Sequence, residues 1–317
     1  MAANRSVAPR FRGFRRQRTS TRSSSQEVGF SGWRVAWPFV LPTVIGLAVF
    51  NLIPLAAAFA LGFTNYSYTS STEWIGLANY RLFLFDDPLF WKAMRNTLYY
   101  TVASVGLSAG LGLALALALH QGIRELRFLR SIYFLPVVAS TAAASLVWSL
   151  LLEPNFGLVN YLLGLIRIHG PGWTQSLDWA MPALILVTVW KTAGYNMVIF
   201  LAGLQDIPQE VREAARLDGA SGWRETVNIV LPLLSPTTFF VIVISLITSF
   251  QVFDYIYIMT QGNPAYETLT ISYYIYQIGF QYFRMGEASA LSYVLFTVVF
   301  LLTLLQFGAQ RRWVHYQ

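Results

Sequence analysis

Six apolar stretches constrain this chain more than any other feature, because each is long enough to cross a hydrocarbon core, which takes about 20 residues. They run over residues 37–63, 98–119, 131–152, 182–204, 236–259 and 289–309. Lipid offers no hydrogen bonds, so a spanning backbone must satisfy its own groups, and segments of this kind do so as helices. The expected fold is all-α, a polytopic membrane protein with six transmembrane helices. Composition agrees: 55% of residues are hydrophobic and only 12% charged, against about 25% charged in soluble domains. Pro42, Pro54 and Pro136 fall in or near these spans and predict local kinks.

Loop charges set the orientation, since Lys and Arg collect on the cytoplasmic side. The N-terminal tail, residues 120–130, residues 204–234 and the C-terminal end together hold sixteen; the loops on the other side hold five, and Lys191 lies inside a span. Both termini and the 204–234 loop are therefore expected in the cytoplasm. Residues 1–34 carry eight arginines, one acid (Glu27) and many Ser and Thr. Such a segment cannot bury a core and reads as a largely disordered basic tail, a positive-inside anchor and not a secretory signal. The net charge of +7 then reflects membrane topology and lipid, not nucleic acid. The expected division is a tail at 1–34, a transmembrane domain at 35–311 and a cytoplasmic end at 312–317. With no cysteine, disulfides and thiolate metal sites are excluded. His120, His169 and His315 lack metal-ligand spacing.

On the outer side, residues 64–95 are rich in aromatics, among them Trp74, Tyr80, Phe83, Phe90 and Trp91. A headgroup belt accounts for most of them, and an outer surface that docks another protein is the alternative. Asp86-Asp87-Pro88 is a helix-start signal.

Polar groups inside a span cost free energy unless they face a cavity or a partner. In the fourth span Trp190, Lys191, Thr192, Gly194, Tyr195 and Asn196 interrupt the apolar run. Lys191 and Tyr195 are four apart and share a helical face. A central lysine costs roughly 2.5–3.5 kcal/mol, so Lys191 should point into the bundle, at a carboxylate, a carbonyl or an anionic ligand. In the fifth span Thr248, Gln251 and Tyr255 follow i, i+3, i+7 with Val252 beside them, a stripe that suits a sugar's hydroxyls and C–H faces. Packing between helices is the competing explanation, and the preferred one for Ser245 and Ser249.

The 204–234 loop is the longest charged interruption in the second half of the chain. Pro208 suits the first turn of a helix, Gly219 its end, Ser221 the cap of a second helix, and Pro232 its stop. Within it stand Glu213-Ala214-Ala215, three residues, Gly219, nine residues, Ile229, one residue, then Leu231-Pro232. This spacing resembles the EAA loop of ABC importer permeases, with every position filled. The resemblance extends from about Trp33 to the C-terminus and is nearest to the carbohydrate-type permeases, which implies the type I importer fold. It also implies that Glu213, with Arg212, Ala214, Ala215, Arg216, Asp218 and Gly219, docks into a cleft on a cytoplasmic ATPase dimer, where ATP and Mg would bind. A second homologous permease and an extracytoplasmic solute-binding protein would complete the assembly. In maltose-type permeases the sugar is held midway across by the corresponding two helices. That carries substrate roles onto Lys191, Thr192, Tyr195, Thr248, Gln251, Val252 and Tyr255. The side chains depart from the maltose pattern, so a different solute is implied; Lys191 would suit an acidic or phosphorylated one, such as a glycerol phosphate or its diesters.

No Gly-x-x-x-x-Gly-Lys-Ser/Thr loop is present, so the chain is not expected to hydrolyse ATP or bind a cofactor itself. Neither a Gly-x-Ser-x-Gly elbow nor a His-Glu-x-x-His helix occurs, so no hydrolytic activity is expected. Two other classes remain as alternatives. A stand-alone secondary transporter would need an internal repeat and intramembrane carboxylates; Asp254 is the one candidate. An enzyme acting on lipid-linked sugars would need Asp254 as its acid or base. The reading adopted is the permease subunit of an ATP-driven sugar importer in a bacterial plasma membrane, working by alternating access.

Overall fold

The computed structural model describes residues 31–67, 71–120 and 126–314. Most of the basic tail, residues 1–30, and the last three residues lie outside the described residues. The chain divides into two units, residues 1–54 and 55–317. The first contains α1 (Ser31–Leu47), with Pro38 and Pro42 inside it, and a π-helical turn over Ala48–Leu52. Helix α2 (Ile53–Leu61) continues from that turn.

In the second unit a short α3 (Ala78–Arg81) precedes α4 (Pro88–Leu119). Asp87 caps α4, its carboxylate accepting from the Leu89 N–H at 2.9 Å, and Pro88 occupies the first turn, as the Asp-Asp-Pro signal predicts. Then follow α5 (Leu126–Val138), α6 (Thr141–Leu151), α7 (Leu158–Leu165) and α8 (Ala180–Gln205). The 204–234 loop contains α9 (Gln209–Leu217), α10 (Trp223–Glu225) and α11 (Leu231–Leu233), the last two joined by a π turn. The chain ends through α12 (Ser235–Phe250), α13 (Ile271–Tyr276) and α14 (Met285–Trp313). No named strand occurs among the described residues; Thr64 and Trp74 form an isolated bridge.

Among the described residues, four helical segments are long and apolar enough to span a membrane: Trp37–Leu61, Pro88–Leu119, Ala180–Gln205 and Met285–Arg311. The third and fifth spans are not the straight helices expected from their hydropathy. The third is two helices, Phe128–Val138 and Thr141–Leu151, bent by 97°. The fifth ends early, at Phe250, and its helix is bent by 64° from Trp223–Leu233. The Thr248–Gln251–Tyr255 stripe therefore does not lie on one continuous helix: Gln251 caps α12, and helix resumes only after Phe253.

At the break in the third span, α5 runs through Pro136 and ends at Val138, and the carbonyls of its last turn are left without intrahelical donors. Lys191 of α8 supplies them. Its Nζ donates to the carbonyls of Ala139 (2.6 Å), Pro136 (3.0 Å) and Val137 (3.5 Å). Lys191 as a residue is buried, with 8% of its surface exposed, and its ammonium sits where the helix macrodipole is negative. Close approach of α5 to α8 depends on Gly194: a Cβ there would stand 2.0 Å from the Tyr133 carbonyl oxygen.

The longest packing seam is α4 against α8, and α12 lies against α4. The seam carries polar links as well as apolar ones: Tyr100 and Thr188 hydroxyls meet at 2.6 Å, and Asn196 donates to Ser108 at 3.2 Å. One buried cluster gathers Phe83, Phe90, Leu184, Phe250, Ile256 and Ile271; a second gathers Met197, Phe200, Leu204, Ile207, Val230 and Leu234 beside the 204–234 loop. Burying an aliphatic or aromatic side chain in this way is worth ~1.5–3 kcal/mol in water. Between helices in lipid that term is absent, and close packing with interhelical hydrogen bonds takes its place.

Two substitutions test the α5–α8 joint. Lys191→Met leaves the half-buried carbonyls of Pro136 and Val137 and the carbonyl of Ala139 without this donor, and an orphaned group costs about 1–3 kcal/mol where water cannot replace the donor. We expect a lower unfolding midpoint for the purified chain and faster amide exchange over residues 137–141. Gly194→Ala forces the same helices apart and should cost roughly 1–3 kcal/mol, read by the same two measurements.

Candidate functional site

Two breaks in the helices meet at one pocket. Thr141 begins α6 directly after the Lys191-capped break, and Gln251, Val252 and Phe253 form the break after α12. The pocket has a volume of about 290 Å³ and is lined by Tyr100, Thr141, Thr188, Thr192, Thr248, Ser249, Gln251, Val252, Phe253, Asp254 and Tyr255. Of the sequence-predicted substrate residues, Thr192, Thr248, Gln251, Val252 and Tyr255 come together here. Lys191 and Tyr195 do not: Lys191 is occupied by the carbonyls of the break, and Tyr195 is 42% exposed elsewhere on α8. The shared face of the two residues thus leads the lysine inward and the tyrosine outward, not into a common site.

The second break is stabilised differently from the first. Its orphan carbonyls, Phe250 and Val252, accept from the hydroxyls of Ser272 (3.3 Å) and Thr270 (3.4 Å). The segment carrying those hydroxyls is tied to α4. Asn96 donates to the Tyr266 and Leu269 carbonyls at 2.9 and 3.0 Å, and Thr97 accepts from the Ile271 N–H at 3.0 Å. Lys92 pairs with Glu267 at 2.8 Å. Within the pocket, the Thr192 and Thr248 hydroxyl protons go back to their own helices, at 2.8 and 2.9 Å. Their oxygens keep lone pairs for a ligand's donors. Tyr100, Thr141 and Thr188 were not singled out from sequence. Thr188 was legible as the residue four before Thr192; Tyr100 and Thr141 belong to other helices, and only the fold brings them in.

At the opposite end of α8, helix α9 has two faces. Arg212 and Arg216 both reach Glu225, which is buried, while the Arg216 side chain stays exposed: Arg212 Nε to Oε1 and Arg216 Nε to Oε2 are both 2.9 Å. Arg212 also donates from Nη1 to His120 Nε2 at 3.0 Å. An imidazole that accepts at Nε2 is neutral. Burial, then the Arg212 and Arg130 charges, lower the His120 pKa and keep it so. The other face presents Glu210, Glu213, Ala214 and Leu217 to solvent, with Leu217 90% exposed. Glu213 accepts from Gln209 at 2.6 Å. Gly219 ends the helix at φ +86°, a left-handed conformation that glycine adopts without strain. Pro208 stands just before the first turn, at the N-cap, and Gly222, not Ser221, caps α10. At φ 54° and ψ −118° that position suits only a residue without a Cβ.

Residues 89–313 match the family described as the binding-protein-dependent transport system inner membrane component. The chain belongs to that family. It is a permease of the carbohydrate ABC importer type, a transport component and a multi-pass protein of the bacterial inner membrane. The stand-alone transporter and the lipid-linked-sugar enzyme are thereby set aside. Among curated relatives, an sn-glycerol-3-phosphate transport system permease of Pectobacterium atrosepticum is 33% identical, over 93% of this chain and 100% of that protein. A lactose transport system permease of Rhizobium radiobacter is 34% identical, over 87% and 93%. Among solved structures, a bacterial ABC transporter involved in import of the acidic polysaccharide alginate superimposes with a TM-score of 0.79. It is 28% identical, covering 89% of this chain and 96% of that one.

The Glu225 cluster predicts a pH dependence for this permease. Hydrogen bonds from Arg216 and then Arg212 hold the Glu225 carboxyl below the usual carboxylate range. A depressed folded-state pKa stabilises the fold above the unfolded value and is lost as pH falls through the lowered one. Wild type should therefore lose melting temperature as pH drops below about 4.3. Glu225→Gln should melt lower at neutral pH and show a flatter acid limb.

Proposed function

We propose that this permease carries a saccharide across the membrane by alternating access, with the pocket between the two helix breaks as its binding site. One observation carries the choice of solute: hydroxyl, amide and aromatic groups line the pocket with one carboxylate, Asp254, and neither Lys nor Arg is among the lining residues. Sugars are bound by such groups. A phosphate ester would be met by a cation, and Lys191, on α8 beside the pocket, is occupied by backbone carbonyls. Relatives transport lactose, sn-glycerol 3-phosphate and alginate by their names; the pocket's chemistry favours a sugar over the glycerol phosphate among these. Thr192, Thr248, Gln251 and Tyr255 would bind hydroxyls, Phe253 and Val252 the C–H faces. Lys191 acts through Thr141, by fixing the break that places it.

In this reading the 204–234 loop faces the cytoplasm, as the Lys and Arg distribution favours, and both termini lie there. The exposed face of α9, with Glu213, Ala214 and Leu217, docks on an ATPase dimer that holds ATP and Mg. Arg212 and Arg216 brace that face from behind through Glu225, and Asp218 and Gly219 form the bend to α10. Closing of the ATPase dimer draws the loops together and turns the site outward, where a solute-binding protein delivers substrate. A second, homologous permease completes the pathway.

Two measurements test this. Glu213→Lys should insert normally yet lose uptake and substrate-stimulated ATP hydrolysis in the assembled importer; unimpaired uptake would overturn the docking role. Gln251→Ala should raise the apparent KM for the transported saccharide about tenfold, the loss of a buried hydrogen bond of ~1.4 kcal/mol. Unchanged kinetics would remove the pocket from the transport path.

A further inference from the structure

Helix α7 carries apolar side chains on the face that the rest of the chain leaves uncovered. Leu158, Tyr161, Leu162 and Leu165 follow i, i+3, i+4, i+7, one helical stripe, and each is at least half exposed. Ile166 and Ile168, just past its end, are exposed as well. The opposite face is held by the fold. Val159 packs on the buried cluster that contains Phe83 and Leu184. Asn160 donates to the Pro154 and Pro171 carbonyls at 3.0 and 3.2 Å and accepts from Trp173 Nε1 at 2.7 Å. Gly170 permits this close approach: a Cβ there would stand 2.0 Å from Asn160 Oδ1. The one amide of α7 is therefore spent inward. No charged residue lies on the helix, and Arg167, exposed, follows its end at φ +61°.

We propose that α7 is an interfacial helix and not part of a span. It lies in the headgroup boundary of the leaflet at the end of α8 away from the 204–234 loop, with its apolar stripe in contact with phospholipid. Three observations favour lipid as the occupant. The first is level. Trp173, bonded to Asn160, meets Trp179 edge-on with centroids 5.5 Å apart. Trp179 is the residue before α8, where the span Ala180–Gln205 begins. Tryptophans at the end of a span mark the headgroup layer, and α7 is hydrogen-bonded to that pair. The second is continuity. The chain leaves one apolar helix at Leu151 and enters the next at Ala180, so α7 joins two membrane segments, and Leu150, Leu177 and Trp179 on either side of it are exposed too. The third is chemistry. The stripe offers no amide, carboxylate or ammonium with which to specify a protein partner. The Tyr161 hydroxyl and the Arg167 cation at its border suit headgroup phosphates. In water the same face would be a large apolar patch. The anchor holds whatever solute the pocket binds.

The chain has no cysteine, so Leu162→Cys and Leu165→Cys each accept a single nitroxide label. Thr72→Cys, in the exposed polar run of residues 71–73, is the aqueous reference. The labelled chain is studied in the complete importer, with partner cysteines replaced, in nanodiscs of phosphatidylcholine and phosphatidylglycerol. Power-saturation EPR then counts collisions with oxygen, which concentrates in lipid, and with a neutral nickel chelate, which stays in water. For a face buried ~5–10 Å into the boundary, the oxygen-to-nickel ratio at Leu162 and Leu165 should exceed that at Thr72 roughly fivefold. A ratio equal to that at Thr72 overturns the proposal, because α7 then stands in water. Exclusion of both reagents overturns it too, because a protein, the second permease or the solute-binding protein, then covers the face. Variants that keep the wild-type melting temperature are scored, and Tyr161→Cys replaces any that does not.

Discussion

One buried lysine organises the helices around the pocket. A lysine in the middle of a span is costly in lipid, and a helix broken in mid-membrane exposes carbonyls that lipid cannot satisfy. Here each defect answers the other. Lys191 needs oxygen ligands away from water; the last turn of α5 needs donors. Paired, they let the third span bend by 97° without leaving the backbone unsatisfied. Everything about the pocket's position follows, because the bend presents the start of α6, with Thr141, to the middle of α8. Gly194, one turn away, removes the side chain that would hold the helices apart.

The second break repeats the principle with neutral groups. Hydroxyls of Thr270 and Ser272 serve the carbonyls around Gln251, and the segment bearing them is fastened to α4 through Lys92, Asn96 and Thr97. Non-helical backbone at membrane depth is tolerated where protein surrounds it or a cavity opens beside it. Both conditions hold, and the cavity is the pocket. Hydroxyl capping is weaker than charge-assisted capping, so the break after α12 is the softer of the two. A site between one stiff and one soft break can change shape while one wall stays fixed.

At the other end a carboxylate takes the central role. Glu225 is buried between Arg212 and Arg216, and removing one partner of such a cluster leaves charge uncompensated. The cluster ties α9 to α10 through two ion pairs on one carboxylate. His120, held neutral at the end of α4, adds the helix that packs along α8 to the same joint.

Much of this was legible in residue order. Apolar length gave the spans, Asp87-Pro88 the start of α4, Gly219 the end of α9, and the EAA spacing the family. The isolated polar groups of the fourth and fifth spans marked the pocket's neighbourhood. Their assignment failed where it assumed a continuous helix. Thr248, Gln251 and Tyr255 do reach one pocket, but by a break and not by a stripe. Lys191 was rightly aimed inward, and of the partners expected for it, a carboxylate, a carbonyl or an anionic ligand, the structure shows carbonyls; which carbonyls they are has no signature in a side-chain pattern. The same limit hid Tyr100 and Thr141. The sequence by itself determined what lipid enforces: the number of apolar segments, their helical state and the polar positions that must avoid the membrane. Only the tertiary structure decided what those polar groups meet. Hydrophobic length is a property of one segment, whereas the satisfaction of a carbonyl at a break depends on a donor from another helix some fifty residues away.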